Sequence, residues 1–207
     1  MEKKHIQALV WILAPIWAIL LFIDGVIPVT FAFFKPASLV TALAIFFVGA
    51  FDKWIWKWKM LHPWFVSIPN LSGTWKAKLN SSWIDKKTGE KLTDIEAYFI
   101  IHQTLSNINV TLLTKASSSE LIGGELIKDK NTGKFYITGV YLNEPKLLQI
   151  KDSPIHYGAL FCKIIANKSA IIMDGCYWTS RETKGEIKFL KHSKHVYSSF
   201  DECNSNL

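Results

Sequence analysis

Arg181 is the single arginine in a chain whose other strongly basic side chains are all lysines. Where lysine supplies every generic surface charge, one arginine points to a use for its planar fork. That use is bidentate binding of a phosphate or carboxylate, or stacking on a flat ring. Gly175, Tyr177, Thr179 and Arg181 alternate along an extended run, so they share one face, and Thr183 follows at its end. Together they offer an aromatic platform, two hydroxyls and a guanidinium, a set that suits a base plus a phosphate. The preceding run opens His156-Tyr157-Gly158, and a tight turn over Ala166-Asn167-Lys168-Ser169 folds it back antiparallel. His156 and Tyr157 are therefore expected at the same end as Thr179 and Arg181. The bland use for Arg181 is a bidentate bridge to a nearby carboxylate such as Glu186.

Other chemistry is not legible. The sequence has no G-x-S-x-G elbow, no P-loop, no dinucleotide-binding glycine fingerprint and no H-E-x-x-H. Asp174 stands inside an apolar run without a visible partner for acid–base work, and His102 reads as a structural residue at a strand end. Cys162, Cys176 and Cys203 lack metal-ligand spacing and read as reduced thiols. We expect no enzyme, no catalytic residue, no metal and no cofactor. The net charge of +7 is carried by scattered lysines; DNA or RNA would call for a denser basic stripe.

The elements that position Arg181 follow from period. Leu71, Gly73, Trp75, Ala77 and Leu79 alternate with polar residues, a half-buried strand. Strand-like runs then follow at 95–104, 108–114, 120–128, 134–143, 156–165, 170–181 and 186–192. The segments between them, such as Asp85-Lys86-Lys87-Thr88-Gly89 and Asp129-Lys130-Asn131-Thr132-Gly133, have turn composition, and Gly123-Gly124 marks a bulge or bend. Strands joined by short turns are antiparallel, and eight of them must close into a barrel or pack as a sandwich to protect their edges. Sequential hairpins favour the barrel. The expected fold is all-β, a small eight-stranded antiparallel up-and-down barrel. Its interior either fills with side chains or holds one small ligand. Trp75 is expected to plug one end as core.

The chain before the barrel is of another kind. Ile6 to Ile23 and Ala37 to Phe51 are uncharged, and a bilayer needs roughly 17–25 apolar residues to cross. Neither stretch has the polar face of a soluble helix. The first has no small-residue cleavage site of a signal peptide and is followed by a second span. Asp24-Gly25 through Lys35-Pro36 make a short connection, so the two form an N-terminal transmembrane hairpin. Trp54, Trp56 and Trp58 alternate with lysines as an interfacial belt. Lys3 and Lys4 precede the first span, and Lys53, Lys57 and Lys59 follow the second. By the positive-inside rule both termini and the following domain are cytoplasmic. The expected organisation is two membrane helices within 1–62 (about 6–23 and 37–56), a linker at 63–69, the barrel at 70–195 and a tail at 196–207.

Two apolar spans, an aromatic-lysine exit and a barrel opening Leu71-Ser72-Gly73-Thr74-Trp75 form an architecture that resembles a known family. It is similar to the two-transmembrane β-barrel effectors of bacterial CBASS antiphage systems, and the Gly175–Gly185 segment is similar to the end of that barrel. The Gly-x-Trp start also resembles lipocalin-like barrels. The effector resemblance implies a functionally coupled CD-NTase cyclase, a cyclic dinucleotide messenger bound by the cytoplasmic barrel, and homo-oligomerisation in the inner membrane. It further implies membrane disruption leading to death of the infected cell. On that reading Arg181, Thr179, Thr183, Tyr177, His156 and Tyr157 contact the dinucleotide, with a lysine such as Lys184 supplying a second phosphate contact. Two other readings remain open: a membrane-tethered lipocalin-like carrier of a lipid or other hydrophobic ligand, and a packed barrel that only tethers a partner.

Overall fold

The computed structural model describes residues 3–23, 25, 36–84, 89–90, 94–151, 153–166 and 170–207. The connection between the apolar segments, most of the loop after Trp83 and the 167–169 turn lie outside the described residues. Two compact units result: Met1–Ser67 with Thr104–Ser106, and Ile68–Gln103 with Asn107–Leu207.

The first unit holds α1 (Lys3–Ile23) and α2 (Ala37–Lys53). α1 continues through Pro15, and its 21 residues extend about 30 Å at 1.5 Å per residue, a hydrocarbon core's thickness. Both helices carry stretches long and apolar enough to cross a membrane, Ile6–Ile23 and Ala37–Lys57. Their side chains are not packed away as a soluble core would be. Trp11, Phe22, Ile45 and Phe46 are exposed, Phe22 at 88%. Helices apolar all round and uncovered by protein need lipid. The helical conformation ends earlier than the apolar pattern, at Lys53, and the Trp-rich exit runs through two short 3-10 turns, Ile55–Lys57 and Lys59–Leu61. Trp54 and Trp58 are exposed, whereas Trp56 is buried beside His62, whose Nε2 bonds the Trp56 carbonyl at 2.8 Å.

The second unit is a closed barrel of eight antiparallel strands in sequence order, with β1 pairing β8. They are β1 (Gly73–Ser81), β2 (Ile95–Gln103), β3 (Ile108–Thr114), β4 (Ser117–Lys128), β5 (Phe135–Pro145), β6 (His156–Ala166), β7 (Ile171–Thr179) and β8 (Lys184–Ser193). The up-and-down barrel expected from the period is the observed fold. Closure leaves no free edge. The register of β4 on β5 shifts between Leu121 and Gly123, the bulge marked by the double glycine. Asp129 holds the β4–β5 turn by accepting from the Asn131 and Thr132 amides and the Thr132 hydroxyl.

Inward residues build one core running from Leu71, Trp75 and Ile101 through Phe99, Ile137, Ile164 and Ile187. Its lower end is plugged. The Trp75 indole donates to the Leu71 carbonyl at 2.9 Å and stacks on His192 at 4.1 Å. Gln103, buried, accepts from the Leu71 amide and donates to the Pro69 carbonyl. Trp75 is thus core, as a Gly-x-Trp tryptophan at a barrel end should be. The outward face of β2 is covered as well. Residues after β8 cross it and end in α3 (Phe200–Asn206), where Phe200 meets Tyr98 edge-on and Asn204 accepts from the Tyr98 hydroxyl. The carboxy-terminal segment therefore folds onto the barrel. That explains why Ala97–Ile101 is apolar without alternation.

Candidate functional site

The other end of the barrel is open. A cavity of about 410 Å³ lies inside it, in the range of ordinary small-ligand sites, roughly 300–1,000 Å³. Its walls are apolar: Leu79, Ile95, Phe99, Leu112, Leu160 and Ile187 come from five strands. Its upper part is polar.

Two tyrosines shape the mouth by lying over glycines. Tyr141 on β5 pairs with Gly158 on β6, and Tyr177 on β7 pairs with Gly185 on β8. A Cβ on either glycine would overlap the opposing tyrosine ring, so each glycine is required by the close approach of its neighbour. Both tyrosines line the cavity. Burial pushes the Tyr141 phenol well above its ordinary pKa, with the neighbouring Tyr177 adding to the shift, so it acts only as a neutral O–H.

Of the six residues singled out from sequence, five line this cavity: Tyr177, Thr179, Arg181, Thr183 and His156. Arg181 arrives there differently from the expectation. β7 ends at Thr179, so Arg181 is not a strand residue but the third position of a turn in which the Glu182 amide donates to the Thr179 carbonyl at 3.1 Å. Glu182 takes the left-handed conformation, φ 63°. The turn is stiffened from inside: the Thr179 and Thr183 hydroxyls bond at 2.7 Å, and the Arg181 amide donates to the Thr179 hydroxyl at 3.2 Å. The guanidinium then donates to the Ser153 hydroxyl at 2.6 Å. Among the described residues no carboxylate pairs with Arg181, and Glu186 faces outward opposite Cys176. Arg181 lines the mouth, and among those residues its fork has no anionic partner.

His156 stands beside Asn143, its register partner on β5. Its Nδ1 donates to the Pro154 carbonyl at 2.8 Å, which leaves Nε2 as an acceptor in the neutral ring. Tyr157 does not join them. It is the next residue of β6, and strand alternation turns it outward, 57% exposed. Lys184 likewise opens β8 on its outer face.

The opposite rim is polar as well. β4 begins at Ser117 rather than Glu120, and Ser117 and Ser119 point inward with Asn143. Asn143 Nδ2 donates to both serine hydroxyls, at 3.0 and 2.8 Å. Thr114 closes the β3–β4 turn by accepting from the Ala116 and Ser117 amides. Lys115, at that turn's tip, also lines the cavity. In an eight-strand closed order the β3–β4 and β7–β8 turns are half a circumference apart. Lys115 and Arg181 thus stand on opposite sides of one mouth. Serines carry little strand signal, which is why this side was missed. The available signal was the inward parity of β5, which runs on from Phe135, Ile137 and Tyr141 to Asn143.

The thiols stay out of the chemistry. All three are free, and burial pushes Cys162 up to about 12 and Cys203 up to about 11. Among the described residues no group of His, Cys, Asp and Glu is arranged to hold a metal ion.

A polar-rimmed pocket in a small barrel suits many ligands, and comparison with known families decides among them. The family model described as Cap15, cyclic dinucleotide receptor domain, matches residues 66–191, well over half of the chain. The chain belongs to this family. It is a CBASS effector whose barrel is a Cap15 cyclic dinucleotide receptor domain, preceded by two apolar helices that mark membrane association. No curated protein matches the chain. The Cap15 match spans every barrel strand from β1 to β7 and most of β8, so the mouth lies wholly within it.

Proposed function

We propose that the open end of the barrel is the messenger site and that Arg181, Thr179, Thr183, Tyr177 and His156 contact the cyclic dinucleotide. The observation that carries this is the Arg181 fork, held at the mouth by a turn locked through Thr179 and Thr183, with no carboxylate partner among the described residues. Lys115 supplies the second cation. A cyclic dinucleotide has two phosphates on opposite sides of its ring, and two cations across one mouth match that spacing in kind. Tyr157, on the outer face, is not a contact of this pocket, although it entered the original set of six.

Binding is the barrel's activity; we assign it no catalysis, cofactor or metal, and no part in binding DNA or RNA. The apolar wall would also suit a lipid, the alternative function of a lipocalin-like carrier. The ring of hydroxyls and cations above that wall, together with the Cap15 match, supports the dinucleotide.

The remainder of the proposal concerns output. Residues 1–62 form the membrane hairpin, 63–69 the linker, 70–195 the receptor and 196–207 the tail. Both termini and the barrel lie in the cytoplasm at the inner membrane on this reading, and the lysines at both ends of the hairpin support that orientation. A coupled CD-NTase cyclase supplies the messenger. Ligand shifts the population toward a homo-oligomer by binding the assembled form more tightly than the monomer, and the gathered hairpins disrupt the bilayer and kill the infected cell.

Isothermal calorimetry on the full chain in detergent micelles tests the site. Cyclic di-AMP, cyclic di-GMP, cyclic di-UMP and cyclic di-CMP serve as ligands, with oleate as the lipid control. One or more dinucleotides should bind, with affinity falling as salt rises and falling about 10- to 100-fold in Arg181→Ala, the worth of a charge-assisted hydrogen bond or two. Binding of oleate alone, indifferent to Arg181, would establish the carrier instead.

A further inference from the structure

Asn143 is 8% exposed, and its Oδ1 has no hydrogen-bond partner among the described residues. A shielded carbonyl oxygen without a donor costs free energy in a folded protein, and here it lies in the wall of a ligand cavity. Its orientation is not accidental. Both amide hydrogens are taken, one by Ser117 Oγ and one by Ser119 Oγ, and Ser119 is itself buried. Ser117 is held in turn against the Thr114 hydroxyl at 3.0 Å. In this arrangement Ser117, braced by Thr114, and Ser119 occupy the amide donors of Asn143 and leave its acceptor free.

We infer that Asn143 is a base-reading residue of the messenger site: its Oδ1 accepts an N–H from the Watson–Crick edge of one base of the bound dinucleotide. The inference rests on the receptor reading above and divides the labour within it. Arg181 sits on a rim turn, where phosphates remain close to water; Asn143 and Ser119, across from it, are buried in the wall of the cavity that Tyr141, Phe99 and Leu160 also line, where a flat base is desolvated. Phosphate contacts are shared by every cyclic dinucleotide and carry affinity. A desolvated hydrogen bond to a base edge carries discrimination, because a base that cannot fill it leaves the acceptor unpaired. The serine hydroxyls, which both donate and accept, are placed to serve the acceptor atoms beside that N–H.

The test is a specificity ratio. The full chain in detergent is titrated with the four cyclic dinucleotides named above, as wild type, Asn143→Leu, Ser119→Ala and Arg181→Ala. Asn143→Leu, similar in volume, should weaken the preferred ligand at least 10-fold and shrink its advantage over the next ligand by a similar factor. Ser119→Ala, which frees the amide to turn, should shrink that advantage in the same direction and guards against a misfolded Asn143 variant. Arg181→Ala should weaken all ligands in proportion and leave their ratios alone. Unchanged ratios in both Asn143→Leu and Ser119→Ala overturn the base-reading role while leaving the receptor reading standing. A wild type that binds none of the four overturns both.

Discussion

The Arg181 guanidinium donates to the Ser153 hydroxyl at 2.6 Å, tying the β7–β8 turn to the connection between β5 and β6 at the barrel mouth. A neutral hydroxyl is a weak partner for a guanidinium, and a phosphate oxygen is a far stronger one. On the proposed reading a phosphate of the messenger takes the place of Ser153 here. Ser153→Ala should bind a cyclic dinucleotide as tightly as wild type or somewhat more tightly. Arg181→Lys, which keeps the charge but loses the fork, should fall between wild type and Arg181→Ala. Calorimetry on the three variants checks the order.

Gly158 lies beneath the Tyr141 ring, its partner across β5 and β6. Gly158→Ala forces that ring to move into the cavity. Overpacking of this kind costs about 1–3 kcal/mol, a fall in Tm of a few degrees for a domain this size. Differential scanning calorimetry should show that fall, and dinucleotide affinity should drop with it because Tyr141 lines the mouth.

The plugged end carries a pH dependence of its own. His192 stacks one ring face on Trp75, and that burial lowers its pKa below the ordinary 6.5, opposed in part by the Nε2–H bond to the Ser72 carbonyl. Nearby Lys194 lowers it further. A base whose folded-state pKa is depressed binds fewer protons folded than unfolded, so stability is fully present above 6.5 and is lost as pH falls from there through the lowered value. Thermal melts below pH 6.5 should show this loss, and His192→Asn should flatten it in that window.

The carboxy-terminal segment covers outward-facing side chains of β1 and β2. Thr74 donates to the His195 carbonyl at 2.8 Å, and Tyr98 is fully buried against Phe200. Deleting residues 198–207 uncovers Tyr98, a loss of about 2–3 kcal/mol on the usual scale for a large apolar side chain. The melt should shift down by roughly 5–10 degrees while ligand affinity holds, since this face is remote from the mouth lining.

The barrel was legible because its strands alternate and its turns carry Asp, Asn and Gly at the expected places. The face shared by Tyr177 and Thr179 was legible for the same reason. Tyr157 lies on the outer face because strand alternation turns it away from its neighbour His156, which nearness along the chain does not reveal. Arg181 reached the expected place by a route that strand period does not encode, a turn closed by Thr179 and Thr183. The Ser117–Ser119–Asn143 side escaped notice because polar residues that line a cavity look in sequence like polar residues of a loop. Only the closed strand order, which sets Lys115 opposite Arg181, brings the two sides to one cavity.

Hydrogen–deuterium exchange of the full chain in detergent, with and without the tightest-binding cyclic dinucleotide, locates the messenger, because the two barrel ends serve as site and control. Binding at the open end should protect 114–119, 141–143 and 177–184 and leave exchange at 69–75 and 101–103 unchanged. Protection confined to the outer face of β5 to β7, around Tyr157, Phe161 and Trp178, or to the Trp75 end, would contradict it.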